Sequence, residues 1–189
     1  MNEVYKKYFD LLREWNEKFN LTAILEESAV ETLHFEDSKA GASLLNNNAS
    51  VLDIGSGAGF PGMVLAIERP DCRFALLEAT AKKCGFLKEV VKTLGLVNVE
   101  IANARAEDYA ATSRIFDVVT ARAVAGLPKL LKWAAPFVKQ GGLFLAWKTD
   151  DAELKSAEPF IKKFKFEYVG KNKYIVAGRN RVILKFCKA

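Results

Sequence analysis

The stretch VLDIGSGAGFPG brings Asp53, Gly55, Gly57 and Gly59 together as residues that could hold a nucleotide-like ligand. Glycines at alternate positions after an apolar run allow a tight turn through left-handed backbone and a close approach of main chain to ligand. Two ligand classes use such turns. Gly57, Gly59 and Gly62 fit G-x-G-x-x-G, in which a dinucleotide pyrophosphate meets the positive end of the next helix. Asp53, Gly55, Gly57 and Gly59 fit D-x-G-x-G-x-G, the turn of enzymes that bind S-adenosylmethionine. That molecule has no phosphate, and its amino-acid end and sulfonium call for carboxylates and carbonyls. Asp53 is expected to supply the acidic partner. Pro61 weighs against the dinucleotide, because it removes an N–H from the first helical turn. S-adenosylmethionine is the favoured cofactor, and a nucleotide-binding dehydrogenase is the competing reading.

Further along, Glu78 closes an apolar stretch and is placed to accept hydrogen bonds from ribose hydroxyls, which either cofactor would offer. Ala106 and Glu107 stand where methyltransferases with this turn hold adenine, although Glu107 also suits a helix N-terminus. Arg122 ends FDVVTAR and Lys148 ends GGLFLAWK, at the strand ends where open α/β sheets bind ligands. An arginine there can grip a phosphate, stack on a base or bond guanine O6, or it can simply pair with a carboxylate. Lys148 has similar options, and Arg105 is either a third basic contact or an exposed helix-start residue. His34 reads as a packing or polar contact rather than a catalyst.

The elements that must position these residues alternate. VYKKYFDLLREW has the spacing of an amphipathic helix, and a second helix is expected over residues 28–45. Strands and helices then alternate from ASVLDIG to GGLFLAWK, with a polar helix near residues 150–163 after that. This pattern calls for a mostly parallel sheet covered on both faces. KFKFEYVGKNKYIVAG and RNRVILKFCK should close the chain as an antiparallel hairpin around a Gly178–Arg179–Asn180 turn. The expected fold is the α/β, Rossmann-like fold of S-adenosylmethionine-dependent methyltransferases. One domain is expected, with an N-terminal helical extension over 1–48 and the core over 49–189.

Composition narrows the classes. At 189 residues the chain suits one well-buried domain. It has no apolar run near the ~20 residues that span a bilayer, and its acidic, amphipathic start has no signal-peptide layout. Three scattered cysteines without a C-x-x-C pair argue against a disulfide framework or zinc site, so a cytoplasmic protein without metal is expected. Charge is uneven. Residues 1–50 hold 5 Lys and Arg against 9 Asp and Glu, residues 51–158 hold 14 against 13, and residues 159–189 hold 9 against 1. The basic end could attract RNA through counterion release, or could be a solvated face.

EWNEKFNLTAI, LHFEDSKAGASLL, VLDIGSGAGFPG, ARAED, FDVVTARAVAGLPKLL, LFLAWK and RNRVILKF together resemble the RsmG (GidB) family over nearly the whole chain. The resemblance implies a 16S ribosomal RNA guanine-N7 methyltransferase. It implies cofactor contacts at Gly55, Phe60, Glu78, Ala79, Thr80, Ala106, Glu107 and Arg122, and roles in RNA binding or catalysis for Arg105, Arg122 and Lys148. The small ribosomal subunit is the implied partner. No strong self-association face is evident, so a monomer is expected. The chain is short for the family, and Thr149 stands where the family often has glycine. Guanine N7 carries a lone pair and no proton, which suits a chain with one histidine and no evident catalytic dyad. An N-P-P-Y turn for amino-group methylation and a cysteine near the fourth strand for cytosine C5 chemistry are both missing. The alternatives are a methyltransferase of this fold for a small molecule or protein, and a non-catalytic RNA-binding module.

Overall fold

The computed structural model describes all residues, Met1–Ala189. Helix α1 (Glu3–Phe19) starts where the Asn2 side chain accepts the Tyr5 N–H at 3.1 Å, and ends at left-handed Asn20. Its spacing turns Tyr5, Tyr8, Phe9 and Leu12 inward. Helix α2 begins as Glu27–Val30, widens into a π-helical stretch at Glu31–Glu36 and ends with the turn Asp37–Lys39. Such widened turns cluster at functional sites, and this one carries His34 just ahead of Asp37.

The core is one seven-stranded sheet in the order β3-β2-β1-β4-β5-β7-β6. Its strands are β1 (Ser50–Ile54), β2 (Arg73–Glu78), β3 (Val99–Asn103), β4 (Phe116–Arg122), β5 (Val138–Lys148), β6 (Phe166–Val176) and β7 (Arg179–Lys188). The first five run parallel, with Leu52 of β1 flanked by Ala75 of β2 and Val119 of β4. Between them run helices α3 (Gly62–Glu68), α4 (Ala81–Leu94), α5 (Ala106–Tyr109) and α6 (Leu127–Ala134), and α7 (Leu154–Lys163) precedes the hairpin.

The two-residue period of the strands divides the interior. Val51 and Leu145 join an apolar cluster with α1, α2, α3 and α4, whereas Leu52 and Phe144 join one with α5, α6 and α7. Each such fully buried side chain contributes about 1.5–3 kcal/mol. The sheet topology reverses between β1 and β4, and that switch point opens the crevice in which ligands of such sheets bind.

Three expectations shift in detail. Helix α7 starts at Leu154 because residues 150–153 are taken by a turn in which the Asp150 carboxylate accepts the Ala152 N–H. Strand β5 starts at Val138, ahead of Gly141–Gly142. The hairpin turn is Ala177–Gly178, not Gly178–Arg179–Asn180: Val176 already faces Arg179, and both turn residues are left-handed, with φ of 48° and 71°. A two-residue loop of this hand matches the strand twist, and alanine is a poor fit for its first position. Ala177→Asn should therefore stabilise the chain by about 0.5–1 kcal/mol, which a urea titration would measure; an unchanged or lowered midpoint would contradict the turn.

Candidate cofactor and acceptor site

The turn after β1 is built from left-handed glycines, with φ of 68° at Gly55, 57° at Gly57 and 93° at Gly59. At Gly59 a side chain is excluded twice over: a Cβ would lie 2.1 Å from the Tyr8 hydroxyl, which donates to the Ala58 carbonyl at 2.6 Å. At Gly57 the space is open, leaving main chain exposed to a ligand.

Two acids hold this turn, and they do so differently. Asp53 is fully buried beneath it, accepting the Thr120 hydroxyl at 2.7 Å and the Gly62 N–H at 3.2 Å. Burial raises its carboxyl from 3.8 to about 6, against the pull of those donors. Asp53, expected to be the acidic partner of the cofactor, thus lies fully buried under the turn. Its carboxylate joins β1, β4 and the start of α3, where it also occupies the N–H a pyrophosphate would need. Glu78, at the end of β2, accepts the Gly57 N–H at 3.0 Å and the Thr80 N–H at 2.8 Å. A carboxylate has lone pairs beyond those two, so Glu78 both shapes the turn and remains able to accept ribose hydroxyls.

Two cavities flank the crevice. The smaller, about 100 Å³, lies among Gly55, Leu77, Ala79, Ala106, Glu107 and Val124. Glu107 accepts the Trp133 indole N–H at 2.5 Å, which fixes the wall. Its floor is mostly apolar, with the single carboxylate of Glu107 in its wall. The larger, about 460 Å³, lies among His34, Asp37, Arg122, Lys148, Tyr174 and Arg179, with Trp147, Thr149 and Arg181 also in its wall. Left-handed Ala123 sits between them, and Arg122 lines one cavity while Val124 lines the other.

Arg122 is held firmly. It donates to the Asp37 carboxylate at 2.6 Å and the Leu33 carbonyl at 3.3 Å, lies 3.3 Å from His34 Nδ1, and sits over the Phe60 ring at 5.2 Å. The carboxylate pairing foreseen as the bland option is thus present, and the guanidinium still lines the larger cavity. Lys148 donates to the Ala125 carbonyl at 3.1 Å and the Glu153 carboxylate at 2.7 Å. Arg179 and Arg181 have no carboxylate partner.

Other sequence candidates fall in different places. Arg105 lines the smaller cavity, exposed, and is not gathered with Arg122 and Lys148. The reason is topological, since it follows β3 on the far side of the switch point. The Phe60 ring is turned into the core, 6% exposed and stacked on His34 at 4.5 Å, so only its backbone belongs to the turn. Thr80 contributes its N–H to Glu78 and precedes α4. Sequence reasoning missed Asp37 and Tyr174 as site residues, while His34 makes the packing and polar contacts expected of it. His34 lines the larger cavity, and burial followed by the nearby Arg122 charge lowers its pKa to about 4, which keeps the ring neutral. A polar pair three residues apart on an otherwise apolar helix face was the available signal. No group of three or more potential metal ligands is gathered anywhere in the chain.

Against known proteins, the family model described as GidB, rRNA small subunit methyltransferase G, matches residues 1–182. The chain belongs to the GidB family. Ribosomal RNA small subunit methyltransferase G of Desulfitobacterium hafniense is 46% identical over 80% of this chain and 64% of its own length. The protein of the same name from Desulforamulus reducens is 38% identical over 97% of this chain and 81% of its own. The chain thus spans under two thirds of the length of some GidB relatives. Among solved structures, M. jannaschii TYW2 in complex with AdoMet superposes with a TM-score of 0.66 at 19% identity, over 82% of this chain and 76% of that one. A precorrin-6y C5,15-methyltransferase from Geobacter metallireducens gives 0.63 at 16%, over 90% and 92%. At such identities the likeness is one of fold, and the fold is that of the Rossmann-like methyltransferases.

The raised Asp53 pKa gives this GidB-family turn a pH signature. The folded chain holds the proton more tightly than the unfolded chain, so Asp53's contribution is complete below pH ~4 and is lost as pH rises through about 6. The loss amounts to about 3 kcal/mol at most. Stability measured by urea unfolding should show this decline in the native chain and lack it in Asp53→Asn. Parallel profiles would contradict the assignment.

Proposed function

We propose that this GidB-family chain transfers the methyl group of S-adenosylmethionine to N7 of a guanosine in 16S ribosomal RNA. The observation that carries the reading is the pair of unequal cavities on either side of the Arg122–Val124 turn at the switch point. The smaller suits an adenosyl group beside Glu78, Ala106 and Glu107. The larger is wide enough for a nucleotide that has left its stack, with Trp147 and Tyr174 for a base and unpaired Arg179 and Arg181 for flanking phosphates. The family membership and the names of the relatives support RNA as the acceptor.

When bound, S-adenosylmethionine supplies an activated methyl carbon and a thioether leaving group. The chain's own residues do the rest. Gly57 gives close main-chain approach, Glu78 accepts ribose hydroxyls, and Ala79, Thr80, Ala106 and Glu107 frame the adenine end. Arg122, fixed on Asp37, keeps its unused donors toward the acceptor cavity, and Lys148 lines the same wall. Guanine N7 attacks with its own lone pair, so no residue need remove a proton, and neutral His34 is not required as a base. Orientation of the two reactants alone can contribute about 7–11 kcal/mol. Residues 1–48 act in this reading as an extension of a single domain whose core is 49–189, and the enzyme works as a cytoplasmic monomer without metal. No helix of the chain is long and apolar enough to cross a membrane.

Incubation with labelled S-adenosylmethionine and unmodified small-subunit RNA, free or in assembled subunits, should yield N7-methylguanosine by nucleoside mass spectrometry. Transfer only to a metabolite or protein would overturn the acceptor. Lys173→Ala with Arg179→Ala should weaken RNA binding and reduce its dependence on salt, each lost phosphate contact lowering the slope by about 1. Unaltered affinity and slope would remove the hairpin from the RNA surface.

A further inference from the structure

Asp37 serves the reaction as described only as an anchor for Arg122. It is 6% exposed, yet three elements converge on it. One carboxylate oxygen accepts Arg122 of β4 at 2.6 Å, and the other accepts the Tyr174 hydroxyl of β6 at 2.8 Å. Its carbonyl accepts the Trp147 indole N–H of β5 at 2.9 Å. Arg122 in turn lies over Phe60, which directly follows Gly59, and two residues beyond Thr120, which holds Asp53 under the turn. Its guanidinium lines the larger cavity, and its charge also acts on the Asp53 carboxylate beneath the glycine turn. The methyl donor carries a sulfonium cation, and the product left after transfer is a neutral thioether. A bare guanidinium there would disfavour the donor relative to the product, because like charges repel strongly across a poorly solvated cleft.

We propose that Asp37 is a positioning residue that fixes the Arg122 guanidinium and offsets its charge, so that the glycine turn accepts a cationic sulfonium. This rests on the assignment of S-adenosylmethionine to that turn. The two functions separate experimentally. Loss of positioning changes contacts that donor and product share, whereas loss of charge compensation changes the ratio of their affinities.

The test is calorimetric binding of S-adenosylmethionine and of S-adenosylhomocysteine to the intact chain and to Asp37→Asn, Arg122→Gln and the double variant. Asp37→Asn should lower the donor-to-product affinity ratio by a factor on the order of five to ten. Arg122→Gln, which leaves the carboxylate uncompensated, should move the ratio the other way. The double variant, with neither charge, should return it close to the native value even if both affinities fall. Should Asp37→Asn fail to fold with an unpaired guanidinium buried, Arg122→Gln against the native chain still decides the sign. A ratio that stays constant across the variants overturns the proposal, as does an equal change for both ligands. A native chain that binds neither molecule overturns the cofactor assignment itself, an outcome distinct from a constant ratio.

Discussion

The ion pair between Asp37 and Arg122 is the contact on which the arrangement of this molecule turns. It is the point at which the N-terminal helices, the parallel half of the sheet and the antiparallel hairpin meet. A buried charge pair is costly to desolvate and costlier to break, because the survivor is left without a partner. Here the cost is offset by a hydrogen bond from Tyr174, and Arg122 is held further by the Leu33 carbonyl, His34 and the Phe60 face. The neutral state of His34 belongs to the same arrangement. Its Nε2 lies 2.9 Å from the Thr22 hydroxyl and its Nδ1 faces Arg122, so one tautomer, with the proton on Nε2, satisfies both contacts. Helix α2 could not sit elsewhere without stranding an arginine at the mouth of the crevice.

A second buried acid performs the matching task on the cofactor side. Asp53 ties β1 to β4 through Thr120 and to α3 through Gly62, and the nearness of its side chain is why residue 62 is glycine: a Cβ there would lie 2.6 Å from the Asp53 Cβ. The two acids bracket the switch point. One fixes the glycine turn, and the other fixes the arginine that lines the larger cavity. Ala123 and Val124 divide the space between them, which is how one crevice comes to offer an apolar slot and a basic bowl.

Much of this was legible in the sequence wherever a signal was local. Glycine spacing located the turn, and strand-length apolar runs located the parallel sheet. The net positive charge of the last 31 residues marked the hairpin whose Arg179 and Arg181 do line a cavity. Features that depended on tertiary meetings were not legible. The depth of Asp53 was one of these, because its place in the motif says nothing of burial. Which of its two readings Arg105 takes depended on strand order: it is an exposed helix-start residue after β3, and β3 and β4 lie on opposite sides of β1. Asp37 and Tyr174, separated by most of the chain, touch only because β6 folds back across α2. The hairpin turn was misplaced by a residue because the sequence marked glycine as the start, while the register required left-handed alanine before it.

The division of labour between the two cavities is the centre of this account, and a crystal structure of the chain with S-adenosylhomocysteine and guanosine monophosphate tests it most directly. The account predicts adenosine in the smaller cavity, with its ribose on Glu78 and its ring beside Ala106 and Glu107. Guanine should lie in the larger one, between Arg122 and Tyr174, with phosphate toward Arg179 and Arg181. Adenosine in the basic cavity, or guanosine monophosphate bound away from Arg122 altogether, would contradict it.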